Sequence, residues 1–428
     1  MTFKNIIIGG GISGIIMLKE LVQENQEVIL LEKKQKPGGI WKHKIPEWQT
    51  IQNSISDWSI DGIKIRENSK SGIVKYIEAY IDKFKLERFI KTKVNVIDCK
   101  FKNNKWNIYT KKKVYITTNL IIATGQHNIK NYPVQDMSKF TGKYYHSIDI
   151  KDLSILKNKK VVIVGAKASA LDAIKNCLEK KTKSINWVYR KLYWFGSEDS
   201  DPNNTNGLIY FSLLQLLKIP NMIINKIIES KFRKNYLKYN AEKLIPEYNF
   251  NIEEQMVIPG RNIILKKNKK INFYKNEIHS FDGNNIILKN QDIINDIDII
   301  IFATGFKLKL PFLNNEISNS IDKLYDRLSF GIIDKKYKNL YFFGPGLLNT
   351  TSSTPVSCSV LAKSIASHIK GNFKILDNKK ICRKFNHFDF INAISRIDRY
   401  NYSIFWQIKL IIRMLFLLFT KSNNRNWF

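Results

Sequence analysis

Two stretches of this chain repeat one plan, and the repetition constrains the fold more than any other feature. "IIIGGGISGIIMLKELVQENQEVILLE" runs over 6–32, and "VVIVGAKASALDAIKNCLEKKTKSINWVYRK" over 161–191. In each, a short apolar run meets a glycine, a stretch of helical periodicity follows, and a second apolar run closes the unit. That is a β-α-β unit, whose crossover makes two parallel strands with a helix on one face. Each copy is followed, further along, by an apolar strand ending on Ala-Thr-Gly: Ala123-Thr124-Gly125 and Ala303-Thr304-Gly305.

The doubling predicts an α/β protein with two Rossmann-like dinucleotide-binding domains. After Gly305 the chain returns through "KNLYFFGPG" to a last helix, "STPVSCSVLAKSIASHIKG". The first domain is therefore read as discontinuous, 1–150 with 307–400, and the second, 151–306, as inserted into it. A helical stretch is predicted around 72–88. Residues 197–262 interrupt the second domain with helical periodicity broken by Pro220, and read as a helical insertion or lid. An apolar, basic helix or tail is read over 401–428.

The first fingerprint carries chemistry. Gly9 makes the tight turn, Gly11 lets the backbone approach a pyrophosphate, and Gly14 lets helix pack on strand, with Ser13 between them. The helix N-terminus offers free N–H groups to the phosphates. Glu32 ends the second strand, where an acid bonds ribose hydroxyls and disfavours a 2′-phosphate, so the ligand there is FAD or NAD. "GGIW", with Gly39 and Trp41, follows closely.

"FTGKYYHSID" places Phe140, Gly142 and His146 at the spacing F-x-G-x-x-x-H, just before the second unit. Taken in order, Gly9-x-Gly11-x-Ser13-Gly14, Glu32, "GGIW", "ATG", this motif, a second fingerprint and "FATGF" make the chain resemble the flavin-containing monooxygenases. These are flavoproteins with two dinucleotide sites, and the resemblance covers nearly the whole chain. It implies FAD and NADPH as cofactors, and a small-molecule substrate and O2 as partners. It also implies oxygenation of a soft nitrogen or sulfur centre through a C4a-hydroperoxyflavin, with the cofactor doing the hard chemistry. The implied cofactor contacts include Gly39, Trp41, Val94, Ala123, Thr124, Gly125, Thr304 and Gly305. Asn53, in "TIQNSISDW", stands where the family places an asparagine near the flavin, although the local pattern departs from the family's. His146 is implied as a catalytic-site residue, structural or a hinge contact near the nicotinamide cofactor. Ketone-oxidising relatives usually carry Trp four residues after that histidine; here the position is Ile150. A Baeyer–Villiger-type enzyme, an NADPH oxidase, and a flavin-binding protein without turnover stay open as alternatives.

The second fingerprint, "GAKASA", departs in one place. Gly165 keeps the turn, Ala170 serves as the third small residue, and Ser169 and Asp172 open the helix, but Lys167 stands where the second glycine belongs. A Cβ there pushes a pyrophosphate outward, and the ammonium partly compensates by pairing with phosphate. Arg190 and Lys191, at the end of the following strand, suit a 2′-phosphate and so NADPH. A half that keeps the fold and has lost its ligand is the competing reading.

The net charge of +33 raises the question of nucleic acid. Lysine, asparagine and isoleucine are abundant together and have AT-rich codons; the lysines are scattered, and no recognition motif appears, so nucleic acid is not a predicted partner. Cys99, Cys177, Cys358 and Cys382 lie far apart with no C-x-x-C, which predicts no metal site and suits a reducing cytoplasm. The N-terminus enters a strand at once, so no signal peptide is expected. The most apolar stretch, 402–421, contains Lys409 and Arg413 one turn apart. It approaches the ~20 residues of a bilayer span, and suits peripheral membrane contact as an interfacial helix. A helix docked on the body, or on a second copy in a homodimer, is the other reading.

Overall fold

The computed structural model describes residues 1–51, 58–127, 129–134, 136–195, 219–251, 258, 260–318, 324, 327–329, 332–337, 339–344 and 354–371. Two parallel sheets organise it. In the first, the strand Thr2–Ile8 lies between Val28–Leu31 and Val114–Ile122, with Ile90–Lys91 beyond one and Leu340–Phe342 beyond the other, all parallel. In the second, Lys160–Val164 lies between Ser184–Tyr189 and Ile299–Phe302, with Ile271–Lys275 and Lys143–His146 outermost, again all parallel. Both sheets thus have the glycine-loop strand at the centre and the Ala-Thr-Gly strand beside it. Strand order reverses at that pair, and such a reversal opens a crevice at the carboxyl ends.

The central strands are continuous apolar runs because both faces are covered. Thr2–Ile8 is buried throughout its second half, and Val28–Leu31 and Ile299–Phe302 along their whole length. On one face of the first sheet the helices Ile12–Gln23, Lys70–Lys83 and Thr354–Ile369 close a core around Ile15, Leu18, Tyr80 and Leu361. On the other, the antiparallel strands Val96–Lys102 and Lys105–Thr110 bring Trp106 and Ile108 onto Ile6 and Leu120. The second sheet carries the helix Ala168–Glu179 on one face and a three-stranded antiparallel sheet, Ile278–Asp282, Asn285–Leu288 and Ile293–Ile294, on the other.

Within 197–262, the described part of the inserted segment holds the helix Asn221–Lys238. Pro220 stands at its N-cap, where a missing N–H costs nothing, rather than inside a helix. Phe232 and Tyr236 face the second core, and the Tyr236 hydroxyl donates to the Phe195 carbonyl at 3.0 Å. The chain passes from the first sheet to the second and back through Ile129–Lys130 and Phe306–Lys307, which pair with each other as a two-stranded antiparallel ribbon.

Candidate functional site: two glycine loops and the ribbon between them

The first loop leaves the end of Thr2–Ile8. Gly9 has φ +113°, and a Cβ on it would lie 2.5 Å from the Ala123 carbonyl oxygen. A Cβ on Gly14 would lie 1.9 Å from the Gly9 carbonyl oxygen, so helix Ile12–Gln23 reaches its strand only without one. Gly11 is different. It sits at φ −78°, open to any residue, and the nearest atom to a Cβ there is Gly39 Cα at 3.7 Å. The protein does not fill that space, and a pyrophosphate drawn to the helix start fits it. Gly38 N donates to the Gly10 carbonyl at 2.8 Å, and Gly39 passes so close that its Cβ would come 2.9 Å from Gly11 Cα. "GGIW" is therefore laid directly on the loop, and Trp41 stands edge-on to Trp58 with ring centroids 5.8 Å apart.

Glu32 is buried, with Oε2 accepting from Gly10 N at 2.6 Å and Oε1 from Lys34 N at 2.7 Å. Those bonds aim the carboxylate from the strand end toward the loop and leave lone pairs on both oxygens. Val94 N donates to the Glu32 carbonyl at 2.9 Å, which brings the third strand's exit to the same place. The Ser13 hydroxyl accepts from Cys358 Sγ at 3.3 Å, and burial pushes that thiol up to about 12, so it stays a donor. Ala123 N donates to the Ile8 carbonyl at 2.8 Å; Thr124 and Gly125 then turn outward, exposed, at the same carboxyl end.

The second loop repeats the two backbone bonds that anchor the first. Gly165 N donates to the Val188 carbonyl at 3.0 Å, as Gly9 N does to Leu31 at 2.9 Å, and Ala303 N donates to the Val164 carbonyl at 2.9 Å. Lys167 holds the N-cap of Ala168–Glu179 at φ −92°, close to the backbone of Gly11, so it carries no backbone strain. Its Nζ lies 5.4 Å from the centroid of the Tyr193 ring, which is where the ammonium finds its partner. Ala170 is fully buried in the place of Gly14, and Ser169 stands in the first helical turn. Asp172, one turn on, accepts from Arg261 Nε and Nη2 at 3.0 and 2.8 Å. Burial raises its carboxyl and the guanidinium pulls it back down.

The register refines the reading of the strand end. Ile8 pairs with Leu31 and Val164 with Val188, so Tyr189, not Arg190, is the counterpart of Glu32. No acid stands there to repel a 2′-phosphate. Arg190 and Lys191 follow at once. Arg190 Nη1 lies 3.5 Å from Glu277 Oε1 with its side chain 81% exposed, and Lys191 Nζ lies 3.8 Å over the Tyr248 ring. Trp187, which the sequence pattern did not single out, donates from Nε1 to the Gly165 carbonyl at 2.6 Å and so braces the loop from behind.

His146 ends the outermost strand of the second sheet, opposite Phe302. It is 1% exposed, and its Nε2 is 2.9 Å from the Gly305 carbonyl oxygen. Its Nδ1 is buried without a hydrogen-bond partner among the described residues, and Nε2–H donates to that carbonyl. Burial lowers its pKa accordingly. Thr304 donates from its hydroxyl to the Asn131 carbonyl, and Asn131 N donates to the Gly305 carbonyl at 3.0 Å. Thr304, Gly305 and His146 are thus held together where the ribbon meets the second sheet. Phe140 and Gly142 complete the F-x-G-x-x-x-H spacing by packing: a Cβ on Gly142 would lie 2.6 Å from Phe140 Cζ and 2.9 Å from two backbone carbonyls.

The remaining sequence expectations fall elsewhere. Asn53 and the 402–421 stretch lie outside the described residues. Among the described residues no helix is long and apolar enough to cross a membrane, and no cluster of His, Cys, Asp and Glu has the makings of a metal site.

Known proteins share this architecture. Rabbit (Oryctolagus cuniculus) dimethylaniline monooxygenase (N-oxide-forming) 2 is 25% identical over 358 residues, 76% of this chain. The chain spans 64–65% of the length of the first curated relatives it matches. A solved flavin-containing monooxygenase from Stenotrophomonas maltophilia superposes with a TM-score of 0.66 at 15% identity, covering 87% of this chain and 99% of that one. The structure of OTEMO in complex with FAD and NADP does so with a TM-score of 0.70 at 15% identity, covering 94% and 98%. Such likenesses speak to the fold. The model of the flavin-binding monooxygenase-like family matches residues 3–389, and the chain belongs to that family.

Proposed function

We propose that the protein is an FAD- and NADPH-dependent monooxygenase that oxygenates a soft nitrogen or sulfur centre of a small molecule. The observation that carries this is the repetition of one glycine loop, with the same two anchoring backbone bonds, in two sheets, with different chemistry at the two strand ends. At the first, Gly11 leaves room for a pyrophosphate, and Glu32 ends the strand beside the loop as an acid suited to ribose hydroxyls and unsuited to a 2′-phosphate, which supports FAD. At the second, Tyr189 replaces the acid and Arg190 and Lys191 follow it, which supports NADPH. The chemistry that the two bound cofactors supply is hydride delivery and oxygen activation.

The residues of this chain bind, orient and exclude water. Gly9, Gly14 and Gly39 let backbone close over the first loop. Val94 and Trp41 bound it, and Ser13 ties it to the helix Thr354–Ile369. In the second sheet, Gly165 and Ser169 shape the loop, and His146 acts as a positioning residue by holding the Gly305 carbonyl and so the turn at Thr304. Asn53 is assigned to the flavin side on the family resemblance. The nitrogen preference rests on the N-oxide-forming relatives. The Baeyer–Villiger alternative keeps ketones on the panel to be tested.

The test has two stages. NADPH is added anaerobically to the purified yellow protein, and the flavin band is followed in a stopped-flow instrument. A protein that never bleaches has lost the second site, and the monooxygenase reading falls. If it bleaches, product analysis with amines, sulfides and ketones under air assigns the chemistry, and uncoupled peroxide with every substrate identifies an oxidase instead.

A further inference from the structure

One segment touches both halves of the site. Residues 38–48 begin on the first glycine loop, where Gly38 N donates to the Gly10 carbonyl at 2.8 Å. Ion pairs of Lys42 with Glu78, and of Glu47 with Lys70 at 2.7 Å, place the segment against helix Lys70–Lys83, on the first sheet's side. Its far end crosses over. The Trp48 indole Nε1 donates to the Ile150 carbonyl at 2.7 Å, and the ring packs against the second sheet's core. Beside it, Lys151 Nζ donates to the Lys44 carbonyl at 2.8 Å. Covalently, the two sheets are joined here only by the chain passages that make the ribbon Ile129–Lys130 and Phe306–Lys307. A pair of strands this short sets a hinge line and leaves the angle about it free.

We infer that Trp48 is a positioning residue: its indole latches the second sheet to the first and so sets how a nicotinamide held by one loop meets a flavin held by the other. This rests on the two-cofactor reading above. Hydride transfer requires reacting atoms within about 3–3.5 Å, and a misplacement of ~1 Å costs about a hundredfold. Neither glycine loop controls that distance, because each belongs to its own sheet. The Trp48 bond does, and it does so without touching either cofactor's binding loop. The latch makes a specific division of effects: binding at each loop is independent of it, and transfer between them depends on it.

The test uses full-length protein loaded with FAD. Trp48→Phe keeps an aromatic ring and removes the N–H; Lys151→Met removes the neighbouring bond from an exposed position, and serves if the first variant does not fold. Anaerobic titration gives the Kd for NADPH, and stopped-flow reduction gives the limiting rate. Separately, pulsed EPR measures the distance between spin labels on Lys105→Cys, in the first sheet, and Asp282→Cys, in the antiparallel sheet packed on the second, both exposed, in a Cys382→Ser background. Trp48→Phe is expected to keep FAD content and to hold Kd within about threefold, since neither loop changes. It should lower the limiting rate at least tenfold and broaden the label distance. Lys151→Met should do the same more weakly. An unchanged limiting rate and an unchanged distance distribution overturn the latch, and so does a loss confined to Kd or FAD content. If wild-type protein is never reduced by NADPH, the two-cofactor reading fails on its own, and the label distances still decide whether Trp48 holds the sheets together.

Discussion

Gly165 packs so tightly under Ala303 that a Cβ on it would fall 2.5 Å from the Ala303 carbonyl oxygen, the separation also found between Gly9 and Ala123. In both halves, then, the first glycine answers to the protein's own backbone, with φ +127° at Gly165 and +113° at Gly9. Gly11 meets no such backbone, the nearest atom to a Cβ there being Gly39 Cα at 3.7 Å, and its proposed constraint is the pyrophosphate. Gly165→Ala and Gly9→Ala should each cost about 1–3 kcal/mol of stability through strain and crowding, visible in denaturant melts. Gly11→Val should melt near wild type and purify colourless. A folded Gly11→Val protein with full yellow colour refutes the assignment of the first loop to FAD.

Arg190 bears on cofactor choice. A charge-assisted contact to phosphate contributes about 1.5–3 kcal/mol, so Arg190→Ala should raise KM for NADPH about tenfold to a hundredfold and leave NADH nearly unchanged. Its present partner, Glu277, forms an exposed pair worth at most about 1 kcal/mol. Glu277→Gln should therefore improve NADPH binding by no more than about fivefold. Equal losses with NADPH and NADH in Arg190→Ala would give Arg190 a structural role.

Lys167 has an unstrained backbone and an ammonium already engaged over Tyr193. Lys167→Gly gives a pyrophosphate more room and removes a cation from the rim, two opposed effects. The NADPH Kd should change by less than about tenfold, or 1.4 kcal/mol. Calorimetric titration of both proteins checks this, and a larger change in either direction means that Lys167 dominates the loop.

The Arg261–Asp172 pair is nearly enclosed, at 10% and 16% side-chain exposure. Arg261→Met strands a carboxylate, and breaking such pairs costs about 3–5 kcal/mol near neutrality. Burial raises the Asp172 carboxyl above its ordinary 3.8 even with the guanidinium present. A raised folded-state pKa means that the fold takes up a proton, so stability rises as pH falls through it. The Arg261→Met deficit should shrink between pH 7.5 and 5. A deficit independent of pH would assign the loss to packing.

His146 works in the opposite direction. Burial lowers its pKa below the ordinary 6.5, so its contribution to stability is present above 6.5 and lost as pH falls through the folded-state value. Wild-type protein should lose melting temperature between pH 7.5 and 5, and His146→Gln should lose less across that interval. Identical pH slopes for the two proteins would show that His146 does not titrate on unfolding.

The duplicated β-α-β plan was legible because it rests on local signals: apolar runs long enough for doubly covered strands, a glycine at each turn and helical periodicity after it. Glu32 was legible for the same reason, since its place is set by the strand it ends. Tyr189 was not, because the counterpart of Glu32 follows from pairing register, and counting to the end of "VYRK" overshoots by one residue. Trp187 and Trp48 carried no signal at all. Each is an indole whose hydrogen-bond partner, Gly165 or Ile150, is far off in sequence.

By itself the sequence determined the two sheets, the loops at their carboxyl ends and the charge offered at each, because strands, turns and helix starts are local properties. What the tertiary structure alone decided is where flexible side chains spend their polar groups. Lys167 settles over Tyr193, Arg190 leans on Glu277, His146 closes on Gly305, and Trp48 reaches Ile150 across the ribbon. Each of these choices depends on which neighbours the fold brings within a few ångströms, and hydrogen bonds and cation–π contacts act only at that range.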